Sequence, residues 1–239
     1  MIYSCEYKPV IEDYTKERNL SITAIVKMME NAANGHSKMA GDDIFETERI
    51  KTAWILTDWQ IQLDEYPNFN DELKVETWSE TVTSPLVANR DFLLYKNGNI
   101  FGRAATRWVL FDLEAKRLGR IDDTLIEKYK PEEKFVFEEK KLSKIEIPES
   151  FDSETKITIR RSDIDFNNHV HNLVYLDYAL ESLPEDVYKN SVFKNIRITY
   201  KTAITESREI ICKYKATDGK HTVLIYDDAG NLCTMIQLW

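Results

Sequence analysis

Apolar residues recur along this chain in two rhythms, and each rhythm occurs twice. Ile22, Ile25, Met29 and Ala32 fall at i, i+3, i+7 and i+10. That is the period of an amphipathic helix, over about 21–34. Leu173, Leu176, Leu180 and Leu183 repeat the spacing and predict a second helix over about 170–183. After each helix the period falls to two. Trp59, Ile61 and Leu63 alternate with polar residues, as do Leu73, Val75 and Thr77. In the second half Ile196, Ile198 and Tyr200 alternate, followed by a strand around 210–214. Period two marks half-buried antiparallel strands.

Each half closes on a hairpin. Phe92–Tyr95 leads through Asn97-Gly98 into a strand reaching Trp108, and Val223–Tyr226 leads through Ala229-Gly230 into one reaching Trp239. Asn-Gly is a strong hairpin turn and Ala-Gly a weaker one. The interval from Tyr95 to Trp108 equals that from Tyr226 to Trp239. The expected architecture is therefore an α+β unit, one helix against a mostly antiparallel sheet, present in two copies. The boundary is placed at residue 145, giving units 1–145 and 146–239. Residues 122–155, rich in Glu and Lys, read as a charged, solvated connection.

Composition narrows the function. The 239 residues are 43% hydrophobic, enough to bury a substantial core. A net charge of −9 argues against nucleic acid as partner, because phosphate neutralisation needs a basic surface. No apolar run approaches the roughly 18 residues of a membrane span, and the first residues lack the basic and apolar regions of a secretory signal. Cys5, Cys212 and Cys233 form no framework and suit a reducing compartment, so the cytoplasm is the expected location.

One segment gathers reactive groups. From Arg160 to Asn172 the chain carries Asp163, Asp165, Asn167, Asn168, His169 and His171, just where the second helix should begin. Asp and Asn there are common as caps and turn residues. Asp163 reads that way, and one of Asn167 and Asn168 reads as the N-cap. Asp165, Asn167 and His169 together suit proton transfer and orientation of a carbonyl or a water. His171 reads as packing or support. Aligning the helices sets Ile22 against Leu173, an offset of 151. Tyr14, Lys16 and Arg18 then face Asp165, Asn167 and His169, so one copy carries chemistry and the other does not. A metal site from Asp163, Asp165, His169 and His171 is disfavoured, since His-x-His chelates poorly on a helix and no second ligand-rich segment exists. Cys212 and Cys233 sit among apolar neighbours and read as small buried hydrophobes. No G-x-S-x-G elbow, P-loop or G-x-G-x-x-G is present.

The stretch from Asp163 to Tyr175 resembles the Asp-x-Asp-x-Asn-x-His-Val-Asn-Asn-x-x-Tyr signature of the acyl-acyl-carrier-protein thioesterases. Glu181-Ser182-Leu183-Pro184 resembles the end of that family's helix. Ala32-Ala33-x-x-His36, Thr52–Leu56, Tyr66-Pro67, Thr77-Trp78 and Asn89–Phe92 are similar to its first-half landmarks, in order. The resemblance implies two tandem hotdog units, each a curved antiparallel sheet wrapped round a long helix. It implies hydrolysis of fatty acyl thioesters on acyl carrier protein, releasing free fatty acid and ending chain elongation in fatty acid biosynthesis. The first half would hold the acyl chain, in a pocket whose residues are not assigned. The second would supply Asp165, Asn167 and His169 as catalytic residues, with no cofactor and no metal. A monomer is feasible, because fused hotdogs already supply a pairing, although self-association of relatives points to a homodimer. Lys156, Arg160, Arg161, Lys194, Arg197 and Lys201 are candidate docking cations. Two positions depart from the pattern. His171 replaces the usual Asn, and Ala203 and Ile204 stand where relatives carry a Glu or Glu-Cys, which leaves Asp165, or a nearby acid such as Glu206, as the base. The alternatives are an acyl-CoA thioesterase, a dehydratase of β-hydroxyacyl thioesters and a non-catalytic acyl-binding protein.

Overall fold

A computed structural model of the chain describes residues 1–43, 51–138, 142 and 144–239. They divide into two compact units, Met1–Lys141 and Leu142–Trp239. Part of the expected charged connection, residues 139–141 and 143, lies outside the described residues.

In the first unit the strands are β1 (Tyr3–Tyr7), β2 (Thr52–Leu63), β3 (Leu73–Ser79), β4 (Val87–Lys96), β5 (Asn99–Asp112) and β6 (Arg117–Leu118). Their order is β1-β3-β4-β5-β2, with β6 beside β5, and the pairings are antiparallel. The second unit holds β7 (Ser153–Thr158), β8 (Asn195–Tyr200), β9 (Glu209–Thr217), β10 (Lys220–Asp227) and β11 (Leu232–Leu238). Their order is β7-β9-β10-β11-β8, again antiparallel. The two units thus use one strand order twice. Even the irregularities repeat, with the register shifting between Leu94 and Tyr95 in one hairpin and between Ile225 and Tyr226 in the other.

Each sheet carries a helix. Helix α1 (Ile22–Met39) begins at Ser21, whose Oγ accepts from the Ala24 N–H at 3.1 Å. It packs on β1 and β3. Ile25, Met28, Met29 and Ala32 are fully buried, and each large apolar side chain so placed contributes about 1.5–3 kcal/mol. The helix runs past the predicted end at Asn34 because His36 and Ser37 are buried too. His36 Nδ1 lies 2.7 Å from the guanidinium of buried Arg90. A short helix, α2 (Asp123–Tyr129), is anchored there. The Tyr129 hydroxyl donates to Asp42 Oδ2 at 2.6 Å and lies 3.0 Å from Ser37 Oγ.

In the second unit α3 (Asn172–Glu181) packs on β10 and β11, and α4 (Glu185–Asn190) follows after Pro184. The stretch read as a solvated connection is partly core, since buried Ile145 packs with Leu224 and Met235. Among the described residues no helix is long and apolar enough to cross a membrane.

Candidate active site

The loop before α3 is built around one carboxylate. Arg161–Asp163 makes a single 3-10 turn that buries Asp163. Its Oδ2 accepts from the Arg160 backbone N–H at 2.8 Å and from the Tyr178 hydroxyl at 2.6 Å. Its Oδ1 accepts from Arg160 Nε at 2.9 Å. Burial alone would push this carboxyl up, but the donors from Tyr178 and Arg160 outweigh it and hold it below the usual carboxylate range. The Asp163 carbonyl also accepts from the His171 N–H at 2.9 Å. One residue therefore ties the start of the loop to its end.

Between those ties the chain turns back on itself. Ile164 and Val170 face each other as an antiparallel bridge. The Asp165 N–H donates to the His169 carbonyl at 2.8 Å, and the Asn168 N–H donates to the Asp165 carbonyl at 3.0 Å. Asn168 takes the left-handed conformation this requires, with φ 60°, which Asn tolerates better than most residues. Asp165 Oδ1 accepts from the N–H groups of Asn167 at 2.8 Å and His169 at 3.2 Å. The turn thus places Asp165 directly across from His169.

The helix starts later than the sequence suggested. Its N-cap is His171, whose Nδ1 accepts from the Leu173 N–H at 3.3 Å. Neither Asn167 nor Asn168 is the cap, and Asp165, Asn167 and His169 stand in the turn ahead of the helix. The first unit has the same loop. Asp13 Oδ2 accepts from the Val10 N–H at 2.9 Å and the Tyr7 hydroxyl at 3.2 Å, with Lys27 at 3.0 Å from Oδ1. Thr15 N–H donates to the Asn19 carbonyl at 2.8 Å, and Arg18 has φ 65°. These elements correct the offset from 151 to 150, setting Asp13 against Asp163 and Ser21 against His171. The residues opposite Asp165, Asn167 and His169 are therefore Thr15, Glu17 and Asn19. In that register too, the first copy lacks the acid–amide–imidazole set.

What separates the two aspartates is commitment. Asp163 is saturated with donors. Asp165 uses Oδ1 alone, and its Oδ2 bonds to nothing among the described residues. The Asn167 side-chain amide and the His169 ring likewise have no hydrogen-bond partner among them. Asp165 and His169 are half-buried and Asn167 is exposed, so all three can meet a ligand. Among the backbone groups, the N–H of Val170 goes to the Ile204 carbonyl, that of His171 to Asp163, and that of Val174 to His171. The Asn172 N–H, at the positive end of the α3 dipole, is left without an acceptor among the described residues.

Neither buried cysteine of the second unit is a ready nucleophile. Burial pushes the Cys212 thiol up to about 12 and that of Cys233 up to about 11, so neither is a thiolate near neutral pH. Ala203 is exposed and Ile204 buried, while Glu206 lies out in solvent. Sequence reasoning missed Tyr178 as the donor to Asp163, because the pair is separated by 15 residues and no short motif joins them. Arg197, read as a docking cation, is buried; the other five candidates are exposed.

A family model for the acyl-ACP thioesterase N-terminal domain matches residues 1–129, and one for the C-terminal domain matches residues 147–233. The chain belongs to the acyl-ACP thioesterase family. Its fold is the family's double hotdog. An acyl-ACP thioesterase from Bacteroides thetaiotaomicron superposes with a TM-score of 0.88 at 20% identity, over 99% of this chain and 96% of that one. A 12:0-ACP thioesterase from Umbellularia californica gives 0.84 at 21% identity, over 99% and 96%. An oleoyl-acyl carrier protein thioesterase of Arabidopsis thaliana is 26% identical over 252 residues, 92% of this chain and 68% of that protein. The chain spans 48–60% of the length of several other plant relatives.

Asp163 sets an acid limit on the fold. Its folded-state pKa lies below the unfolded one, so its stabilisation is fully present above about pH 5 and is lost as pH falls below about 4. Urea unfolding of the parent and of Asp163→Asn should differ by about 2 kcal/mol at pH 7, and the gap should narrow at about pH 3.

Proposed function

We propose that this protein hydrolyses fatty acyl thioesters carried on acyl carrier protein, releasing the free fatty acid and ending chain elongation. Family membership supports the reaction class. The observation that carries the reading is the uncommitted trio of Asp165 Oδ2, the Asn167 amide and the His169 ring on a turn that backbone hydrogen bonds close. In the proposed reaction, water adds to the thioester carbonyl carbon while Asp165 takes its proton. Asn167 orients the water or the carbonyl, and His169 hydrogen-bonds at the reacting centre. The Asn172 N–H receives the developing oxyanion. The carbon–sulfur bond then breaks, and the thiolate of the carrier takes up the proton. No step needs a cofactor or a metal. With Ala203 in place of an acid, Asp165 is the base, since Glu206 stands exposed.

In this reading the second unit supplies the catalytic residues and the first unit holds the acyl chain. Its Met28, Met29 and Trp59 are fully buried and give it an apolar interior suited to a hydrocarbon. The protein acts in the cytoplasm, as a homodimer. Acyl carrier protein, an acidic partner, docks on the exposed cations Lys156, Arg161 and Lys201.

Release of carrier thiol from acyl carrier protein loaded with C8 to C18 chains tests the reaction, with acyl-CoA alongside. Turnover should prefer the carrier and fall at least about 100-fold in Asp165→Asn, whose amide oxygen still accepts the two turn N–H groups. Near-normal turnover in that variant would remove Asp165 from its role. A folded parent inert on every substrate would favour the acyl-binding reading that Ala203 suggests. KM for the carrier-bound substrate should rise with salt and rise several-fold in Lys201→Glu; a KM indifferent to both would place docking elsewhere.

A further inference from the structure

The segment after β8 is held against the turn by several hydrogen bonds. Residues 201–204 follow β8, and they include Ala203 and Ile204, the positions where the family resemblance implies an acid. The N–H groups of Lys201 and Thr202 both donate to the Cys233 carbonyl, at 2.8 and 3.2 Å. The Tyr200 hydroxyl donates to the Asn172 carbonyl at 3.1 Å. The Ile204 peptide is gripped on both sides. Its carbonyl accepts from the Val170 N–H at 3.0 Å, and its N–H donates to the Tyr175 hydroxyl oxygen at 3.1 Å.

Tyr175 is 2% exposed and Ile204 also 2%, so water cannot replace that bond without opening the core. The Tyr175 ring is fixed by edge contacts with Tyr200 at 5.9 Å and Tyr178 at 6.5 Å between centroids. Tyr178 is the residue whose hydroxyl holds Asp163. Tyr175 therefore links three things: helix α3, the Ile204 peptide, and through that peptide the residue next to His169. Val170 has no other backbone anchor for its N–H.

We propose that Tyr175 is a positioning residue of the thioesterase site, its hydroxyl clamping the Ile204 peptide so that the Ile204 carbonyl holds Val170 and thereby fixes His169 across from Asp165. This rests on the reaction proposed above for that turn. The backbone of 203–204, held from α3, does by position what its side chains cannot do by chemistry.

Tyr175→Phe tests the clamp, because it keeps the ring and removes one oxygen. Two readouts are needed. In the first, independent of turnover, backbone amide exchange at Ile204 and Val170 followed by NMR should quicken about tenfold or more, and the His169 ring resonances should shift. Unchanged exchange and an unmoved His169 signal would overturn the clamp whatever the enzyme's activity. In the second, kcat on carrier-bound substrate should fall about tenfold or more, while KM changes by less than about twofold. In an Asp165→Asn background the same change should cost nothing further. An equal loss in both backgrounds, or a rise in KM with kcat kept, would overturn the positioning role. Tyr214→Phe, which removes a hydroxyl 2.7 Å from His221 Nδ1 on the β9–β10 hairpin, controls for general loss of a buried phenol and should leave kcat in place. A parent that turns over no thioester would overturn the reaction proposed for the turn, and the exchange measurement would still decide the clamp.

Discussion

A buried carboxylate must find donors, and in the second unit Arg160 and Tyr178 supply them to Asp163. An uncompensated charge inside a protein costs several kcal/mol. Asp163 avoids that cost through the Arg160 backbone, the Arg160 side chain and the Tyr178 hydroxyl. Those donors come from the strand side of the loop and from the middle of α3. Satisfying one residue therefore fixes where the helix sits relative to the loop. The His171 N–H closes the arrangement on the Asp163 carbonyl, and the five residues of the turn have little freedom left.

This explains how the same loop serves two purposes. Asp13 in the first unit makes the equivalent bonds to Val10, Tyr7 and Lys27, and its turn closes in the same way. Both copies share the inner aspartate, a left-handed residue at the tip and a cap for the helix. At Thr15 and Asn19 the turn closes through the backbone, the Thr15 N–H donating to the Asn19 carbonyl. In the second unit the places of Thr15, Glu17 and Asn19 carry Asp165, Asn167 and His169. Reactive groups can be mounted there without disturbing the fold, because the turn closes through backbone bonds, Asp165 N–H to the His169 carbonyl and Asn168 N–H to the Asp165 carbonyl. Asp165 is the partial exception: one oxygen braces the turn while the other stays open.

The elements with a strong local signal could be read directly. The helices announced themselves through four apolar residues at helical spacing, and the first hairpin through Asn97-Gly98, whose φ values of 50° and 82° suit a tight two-residue turn. Strands β1 and β7 were missed. Among the described residues they pair on one side only, and Ser-Glu-Thr-Lys-Ile-Thr in β7 shows no apolar face. The helix alignment slipped by one residue because periodicity reports the buried face, whereas the caps Ser21 and His171 mark the true start. Asp165, Asn167 and His169 were recognisable as a motif. Their division of labour with Asp163 was not, since it depends on Tyr178, and the grip on Ile204 depends on Tyr175, 29 residues away. Contacts at that range follow from packing and leave no mark in a short window.

The central claim is that a thioester carbonyl sits between the Asp165–His169 turn and the first amide of α3. Titration with acyl carrier protein bearing an amide-linked, non-hydrolysable acyl chain, followed by NMR, tests it most directly. The account predicts that the Asn172 backbone amide and the His169 ring shift together and saturably, while the equivalent Ile22 amide and Asn19 of the first unit respond less. Shifts confined to other surfaces, with Asn172 and His169 unmoved at saturation, would contradict it.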